Sequence, residues 1–189
     1  MAGETLNVTM ICGSLRKRSY NAALARSLPA LAPADLKITP APPFREFPHY
    51  DADLQSESGF PPLVMALVDA IRAADGVIIV SPEYNWTIPG ALKNAIDWVS
   101  RVKDQPFKDK PVALQSSSTA LLGGSRMQYH MRQALASIDA LVMIKPEIIV
   151  TFAPTKFDEQ TLELTDQPTR DIIRLQLETF AKFIRRVRD

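Results

Sequence analysis

Five short apolar runs, separated by turns and by stretches of helical periodicity, constrain this chain more than any single motif. The runs are Leu6–Cys12, Leu36–Thr39, Gly76–Ser81, Pro111–Ser116 and a fifth region made of Leu141–Ile144 and Glu147–Val150. Gly76–Ser81 is the most apolar of them, and Pro146 interrupts the fifth, so that strand reads as bulged or split. Between them the spacing predicts helices over about Asn21–Leu31, Leu63–Ala74, Ala91–Ser100 and Ser125–Ile138, with a closing helix over Thr169–Val187. The stripes are explicit: Ala91, Leu92, Ala95, Ile96 and Val99 in one helix, Ile173, Leu177, Phe180, Ile184 and Val187 in the last. Trp98 falls off its helix's stripe, which suggests a second contact surface there. Pro40–Pro62 reads as a long loop rich in proline and aromatics. Strands alternating with helices, with no internal repeat or linker, point to one doubly wound α/β domain over residues 1–189 with a parallel sheet.

In such a sheet, ligands bind outside the carboxyl ends of the strands, where the strand order reverses. Three loops should open there. The first, Gly13-Ser14-Leu15-Arg16-Lys17-Arg18-Ser19-Tyr20-Asn21, leaves a strand at glycine, crosses a hydroxyl- and arginine-rich turn and enters a helix. Unpaired amides at a helix start and the helix dipole favour an anion, and Ser14, Arg16, Ser19 and Asn21 can add donors. Each charge-assisted bond contributes about 1.5–3 kcal/mol, enough together to anchor a phosphomonoester. The loop lacks the glycines of the dinucleotide fingerprint and the ending of the P-loop, so side chains must supply many donors. Taken alone it also reads as a basic surface loop in which Ser19 caps the helix.

The second loop, Ser81–Gly90, holds Pro82 and Pro89, which stiffen it, and Tyr84 and Trp86, which offer flat faces or plain packing. Glu83 reads either as a solvated loop charge or as an acid. The third loop, Ser117–Gly124, ends in two glycines before Ser125 and Arg126, and is either a flexible connector or a close-approach surface for a ligand. A phosphate cup, a rigid aromatic loop and a glycine loop together describe a mononucleotide with a large flat ring, and flavin mononucleotide (FMN) fits that description.

Charge and cysteine usage exclude other classes. With 22 basic and 21 acidic residues the net charge is +1, so no large nucleic-acid footprint is expected and anion selectivity must be local. The single cysteine, Cys12, can form no internal disulfide and no metal cluster, and reads as core packing. No apolar run approaches the roughly 20 residues needed to cross a bilayer and no signal-type start is present, so a cytoplasmic protein without a membrane partner is expected. A phosphatase built on Cys12 would need a Cys-x5-Arg spacing, whereas Arg16 follows four residues after Cys12 and Arg18 six.

The first loop, the run from Pro82 to Trp98 and Gly123-Gly124-Ser125-Arg126 are similar, in order and over nearly the whole chain, to the NADPH-dependent FMN reductase family, within it most to bacterial quinone and chromate reductases. The resemblance implies a flavodoxin-like five-stranded sheet in the order 2-1-3-4-5. It implies that Ser14, Arg16, Ser19, Tyr20 and Asn21 hold the FMN phosphate, that Pro82, Glu83, Tyr84 and Asn85 line the flavin ring, and that Ser116, Ser117 and Gly123 form the other wall. Arg126, Tyr129 and Glu147 resemble a polar network at a tetramer contact, and His49 and Tyr50 resemble residues that reach over the ring from a neighbouring subunit, although His49, like His130, also reads as a surface histidine. Thr87 stands where many members have serine, and Ser117-Ser118-Thr119-Ala120 is less glycine-like than usual. The implied reaction is a two-step exchange: NADPH or NADH reduces the flavin, leaves, and a small acceptor (quinone, free flavin, azo compound or chromate) takes its place, in a homodimer paired into a homotetramer. It requires no metal and no side chain as essential acid or base. The alternatives are a non-catalytic flavin electron carrier, for which the near-zero net charge is unfavourable, and a flavin-binding regulatory protein.

Overall fold

All five residues of β3 (Gly76–Val80) are buried, and the rest of the molecule is arranged around that strand. The computed structural model describes residues 4–188. Its other strands are β1 (Leu6–Cys12), β2 (Leu36–Pro40), β4 (Pro111–Ser117), β5 (Leu141–Val142) and β6 (Ile148–Val150). The sheet runs β2-β1-β3-β4-β5, every pair is parallel, and β6 pairs with β4 beyond β5. This is the flavodoxin-like order expected. Helices α1 (Tyr20–Leu31) and α6 (Gln167–Arg188) cover one face, and α3 (Pro62–Ala73), α4 (Gly90–Val99) and α5 (Ser125–Ala136) cover the other. β3 feeds both layers by strand alternation, Ile78 and Val80 toward α1 and α6, Val77 and Ile79 toward α3 and α4.

Register brings the site together. Cys12 pairs with Val80 and Val80 with Gln115, so β1, β3 and β4 end in one row and the loops that follow them share an edge. The fifth strand is split, as Pro146 implied: β5 pairs with the start of β4 and β6 with its end. Side chains from both layers close the gap. Gln176 Nε2 donates to the Leu114 and Pro146 carbonyls at 3.2 and 2.7 Å, Gln128 Nε2 to that of Ile148 at 2.8 Å, and Arg132 to that of Met143 at 2.9 Å. These bonds replace the ladder that a continuous strand would have made.

Two expectations are corrected. The stretch 40–62 is not all loop, because α2 (Ala52–Ser58) lies within it. Asp51 caps α2 by accepting from the Asp53 amide at 2.8 Å, and Gly59 ends it at φ +72. None of its residues is buried, so it leaves no apolar period to detect. Trp98 offers no second contact surface, being fully buried. Residues 48–60 fold back over α4: Trp98 Nε1 donates to the Pro48 carbonyl at 2.8 Å, and its ring meets those of Tyr50 and Phe60 edge-on, with centroids 5.1 and 6.2 Å away. Among the described residues, no helix is long and apolar enough to cross a membrane.

Candidate active site

The loops after β1, β3 and β4 enclose an open cleft of about 190 Å³. Ser14, Arg16, Ser19, Tyr20 and Asn21 line it from the first loop, Pro82, Glu83 and Tyr84 from the second, and Ser117, Ser118 and Thr119 from the third. A larger hollow, about 500 Å³, follows the flank of α1 against residues 161–170 and has no comparable convergence of loop donors.

At the first loop, β1 must end in glycine. A Cβ on Gly13 would lie 2.4 Å from Ser81 Oγ and 2.8 Å from Leu92 Cδ2. Ser19 caps α1, its hydroxyl accepting from the Ala22 amide at 3.3 Å, while Tyr20 and Asn21 open the helix with no helical carbonyl to receive their amides. Arg16, a lining residue of the cleft, spends only Nε within the loop, on the Arg18 carbonyl at 2.9 Å, which leaves its two terminal nitrogens available to an anion. Arg18 ties the loop to the 159–160 turn by donating to the Glu159 carbonyl at 2.7 Å, and Arg45 donates to that of Leu15.

Asn21 is placed differently from a phosphate donor. It is 4% exposed and both ends of its amide serve β4: Nδ2 donates to the Ser117 carbonyl at 2.8 Å and Oδ1 accepts from the Ser117 amide at 2.9 Å. It fastens the first loop to the third. Ser116 and Ser117 point to opposite faces, as adjacent strand residues must. Ser116 turns away from the cleft, where its hydroxyl accepts from Gln128 Nε2 at 2.8 Å. Ser117 lines the cleft, and its hydroxyl is buried with no protein partner. Gly123 also stands behind the cleft: at φ +57 its Cβ would meet Ile149 Cγ2 at 2.4 Å, and Gly124, at φ +92, would meet Ser116 Cβ at 2.8 Å. These glycines let the third loop close over β4 and β6.

The second loop is a two-residue hairpin. Tyr84 and Thr87 exchange amide-to-carbonyl bonds of 3.1 and 3.0 Å, with Asn85 at φ 47 and Trp86 at φ 70 between them. Glu83 is no solvated charge. Its side chain is 10% exposed, and its carboxylate accepts from Arg126 Nε at 2.8 Å and from the Met127 amide, in the first turn of α5, at 3.3 Å. The Arg126 guanidinium lies 4.4 Å from the Trp86 ring centroid, and His130 Nδ1 and Thr87 Oγ1 share a hydrogen bond of 2.8 Å. Nothing in the sequence links Glu83 to a helix 43 residues on, so this attachment was invisible there. Within one chain, Arg126, Tyr129 and Glu147 do not meet: Arg126 is held by Glu83, Glu147 lies 3.5 Å from Arg132 Nη2, and Tyr129 is exposed. His49 is exposed, and Tyr50 packs on Trp98 with the Arg101 guanidinium over its ring. Burial pushes the Cys12 thiol up from its ordinary range, against weaker opposing effects of a backbone hydrogen bond with Ser14 and the charge of Arg26, so Cys12 is held as a thiol. Among the described residues, no group of three or more His, Cys, Asp or Glu side chains could hold a metal ion.

Helix-start amides and the free end of Arg16 suit a phosphate. The Ser117 hydroxyl, buried in a residue of the cleft wall, has no protein partner, and Pro82–Tyr84 and Ser117–Thr119 line the cleft beside the first loop. The residues present fit FMN, and fold and cleft together define a flavodoxin-like mononucleotide-binding protein. Residues 6–155 match the family described as NADPH-dependent FMN reductase. The chain is 51% identical over 185 residues to a quinone reductase of Escherichia coli (strain K12), and 40% identical to an NAD(P)H-dependent FMN reductase of Pseudomonas aeruginosa, each alignment covering 98% of both chains. Among solved structures it is similar to FerB, a flavoenzyme NAD(P)H:(acceptor) oxidoreductase from Paracoccus denitrificans, with a TM-score of 0.86 at 30% identity over 96% of this chain and 98% of that one. The chain belongs to the NADPH-dependent FMN reductase family.

Proposed function

We propose that this protein is an FMN-dependent NAD(P)H:quinone oxidoreductase. The observation that carries the reading is the cleft itself, where a helix start and an unpartnered buried serine hydroxyl face a stiff aromatic hairpin across one sheet edge. When bound, FMN supplies the redox chemistry, taking a hydride from the nicotinamide donor and passing two electrons to the acceptor. The protein's part is to bind and orient. Ser14 and Ser19, the Tyr20 and Asn21 amides and the terminal nitrogens of Arg16 hold the phosphate. Asn21 keeps that loop in register with β4. In the hairpin, the Tyr84 and Thr87 amides are spent on each other's carbonyls, which leaves those of Glu83, Asn85 and Trp86 to meet the polar edge of the ring. Ser117 and its neighbours form the opposite wall. We assign no side chain as acid or base.

The mouth is open, which suits acceptors of varied size and shape, so free flavins, azo compounds and the small tetrahedral chromate ion belong to the proposal beside quinones. Trp86, Leu121, Leu122, Tyr129 and Phe152 are all exposed on elements of this edge, which supports a homodimer, paired into a tetramer through Arg126, Tyr129 and Glu147, in the cytoplasm. Anaerobic mixing of FMN-loaded protein with NADPH, and separately NADH, tests the reading: the flavin absorbance bleaches within the mixing experiment and returns on adding a quinone. Bound flavin that neither donor bleaches would make the protein a carrier instead.

A further inference from the structure

A hairpin with only two residues in its turn needs positive φ at both of them. Asparagine tolerates that conformation, so Asn85 at φ 47 is unremarkable, but Trp86 at φ 70 is strained, since its Cβ crowds the following carbonyl. Such outliers persist only where the surroundings over-determine them. Within one chain Trp86 is 68% exposed, so packing inside the subunit does not hold it. Three contacts, all to α5, do. The Glu83 carboxylate is fixed by Arg126 Nε and the Met127 amide, where the helix start also favours negative charge. Arg126 is thereby held with its guanidinium carbon over the Trp86 ring, 4.4 Å from the centroid, and Thr87 is tethered to His130.

We infer that Glu83 and Arg126 are positioning residues: their ion pair, stacked on Trp86, holds the Tyr84–Thr87 hairpin in a strained conformation ready to receive the flavin ring. The inference rests on the FMN reading of the cleft and adds how the second loop is kept ready for the ring. Without the pair the hairpin relaxes, and the fraction of molecules with a ring-ready loop falls, which weakens binding by that fraction. The strain is local to residue 86. Glycine adopts φ 70 freely, so a glycine there makes the pair dispensable.

The test is titration of the apoprotein with FMN, followed by flavin fluorescence, together with thermal melting. Glu83→Gln and Arg126→Met each weaken FMN binding about tenfold, the size of a single strained residue, and the double variant is no weaker than either, because both act through one device. The melting temperature of each apoprotein stays within about 2 °C of the parent, because the lost ion-pair bond is offset by the strain the hairpin releases. Adding Trp86→Gly to Arg126→Met restores the affinity to within about threefold of the parent. Parent-like affinity in both single variants, additive losses, failure of the glycine to rescue, or a loss of affinity matched by a loss of melting temperature would each overturn the inference. A parent protein that takes up no FMN would instead overturn the reading of the cleft, and the inference with it.

Discussion

The two ends of the cleft are built on opposite plans. The first loop is pinned at its margins, by Gly13 against Ser81, by Ser19 capping α1 and by Asn21 on Ser117, while its donors are left unspent. The hairpin across from it spends the Tyr84 and Thr87 amides on each other's carbonyls and the Glu83 and Thr87 side chains on α5, keeps the Glu83, Asn85 and Trp86 amides for the ring, and holds a tryptophan in a left-handed conformation. A phosphate is nearly spherical and can be met by several donors in several arrangements, so a loop with free ends serves it. A flat ring presents one edge in one plane, and only a fixed backbone meets it. The contrast assigns the larger share of the affinity to the first loop, and to the second the orientation of the ring with a smaller share of the affinity.

Breaking the first loop at its margin should have the largest effect. Gly13→Ala drives a Cβ into Ser81 and Leu92, and overpacking of this kind costs about 3 kcal/mol, visible as a fall of about 6–12 °C in melting temperature. Asn21→Ala removes both bonds to Ser117 and leaves that buried backbone unsatisfied, a loss of about 2 kcal/mol by denaturant unfolding together with weaker FMN binding. Ser117→Ala separates binding from folding. Its hydroxyl has no protein partner, so the apoprotein unfolds as the parent does, whereas FMN binds about fivefold more weakly for want of one hydrogen bond. Thr87→Val, which cuts only the tether to His130, has the smallest effect, about 0.5–1 kcal/mol in FMN affinity by the same titration.

The first loop was legible in the sequence because its signals are local: an apolar run, a glycine, hydroxyls and arginines within nine residues, then a helix start. The strand order came from the likeness to the FMN reductase family, whereas the parallel sheet and the shared edge were legible for a similar reason, since alternation of apolar runs and helical stripes permits few topologies. The plan of the second loop was not. Glu83 read as a surface charge because its partners lie 43 and 44 residues away, and Trp86 read as platform or packing because backbone strain has no sequence signature. The family resemblance placed Ser116 and Gly123 on the wall. Strand alternation turns Ser116 to the far face, and Gly123 is needed for passage against Ile149. Trp98 misled because its cover comes from residues 48–60, which carry no periodicity.

The central claim, that the first loop supplies affinity by taking a phosphate, is tested most directly by titrating the apoprotein with FMN and with riboflavin, which differ by that group alone. Two or more charge-assisted bonds at about 1.5–3 kcal/mol each predict that FMN binds at least about a hundredfold more tightly. Equal affinity for the two would contradict the claim and leave the loop after β1 without its ligand.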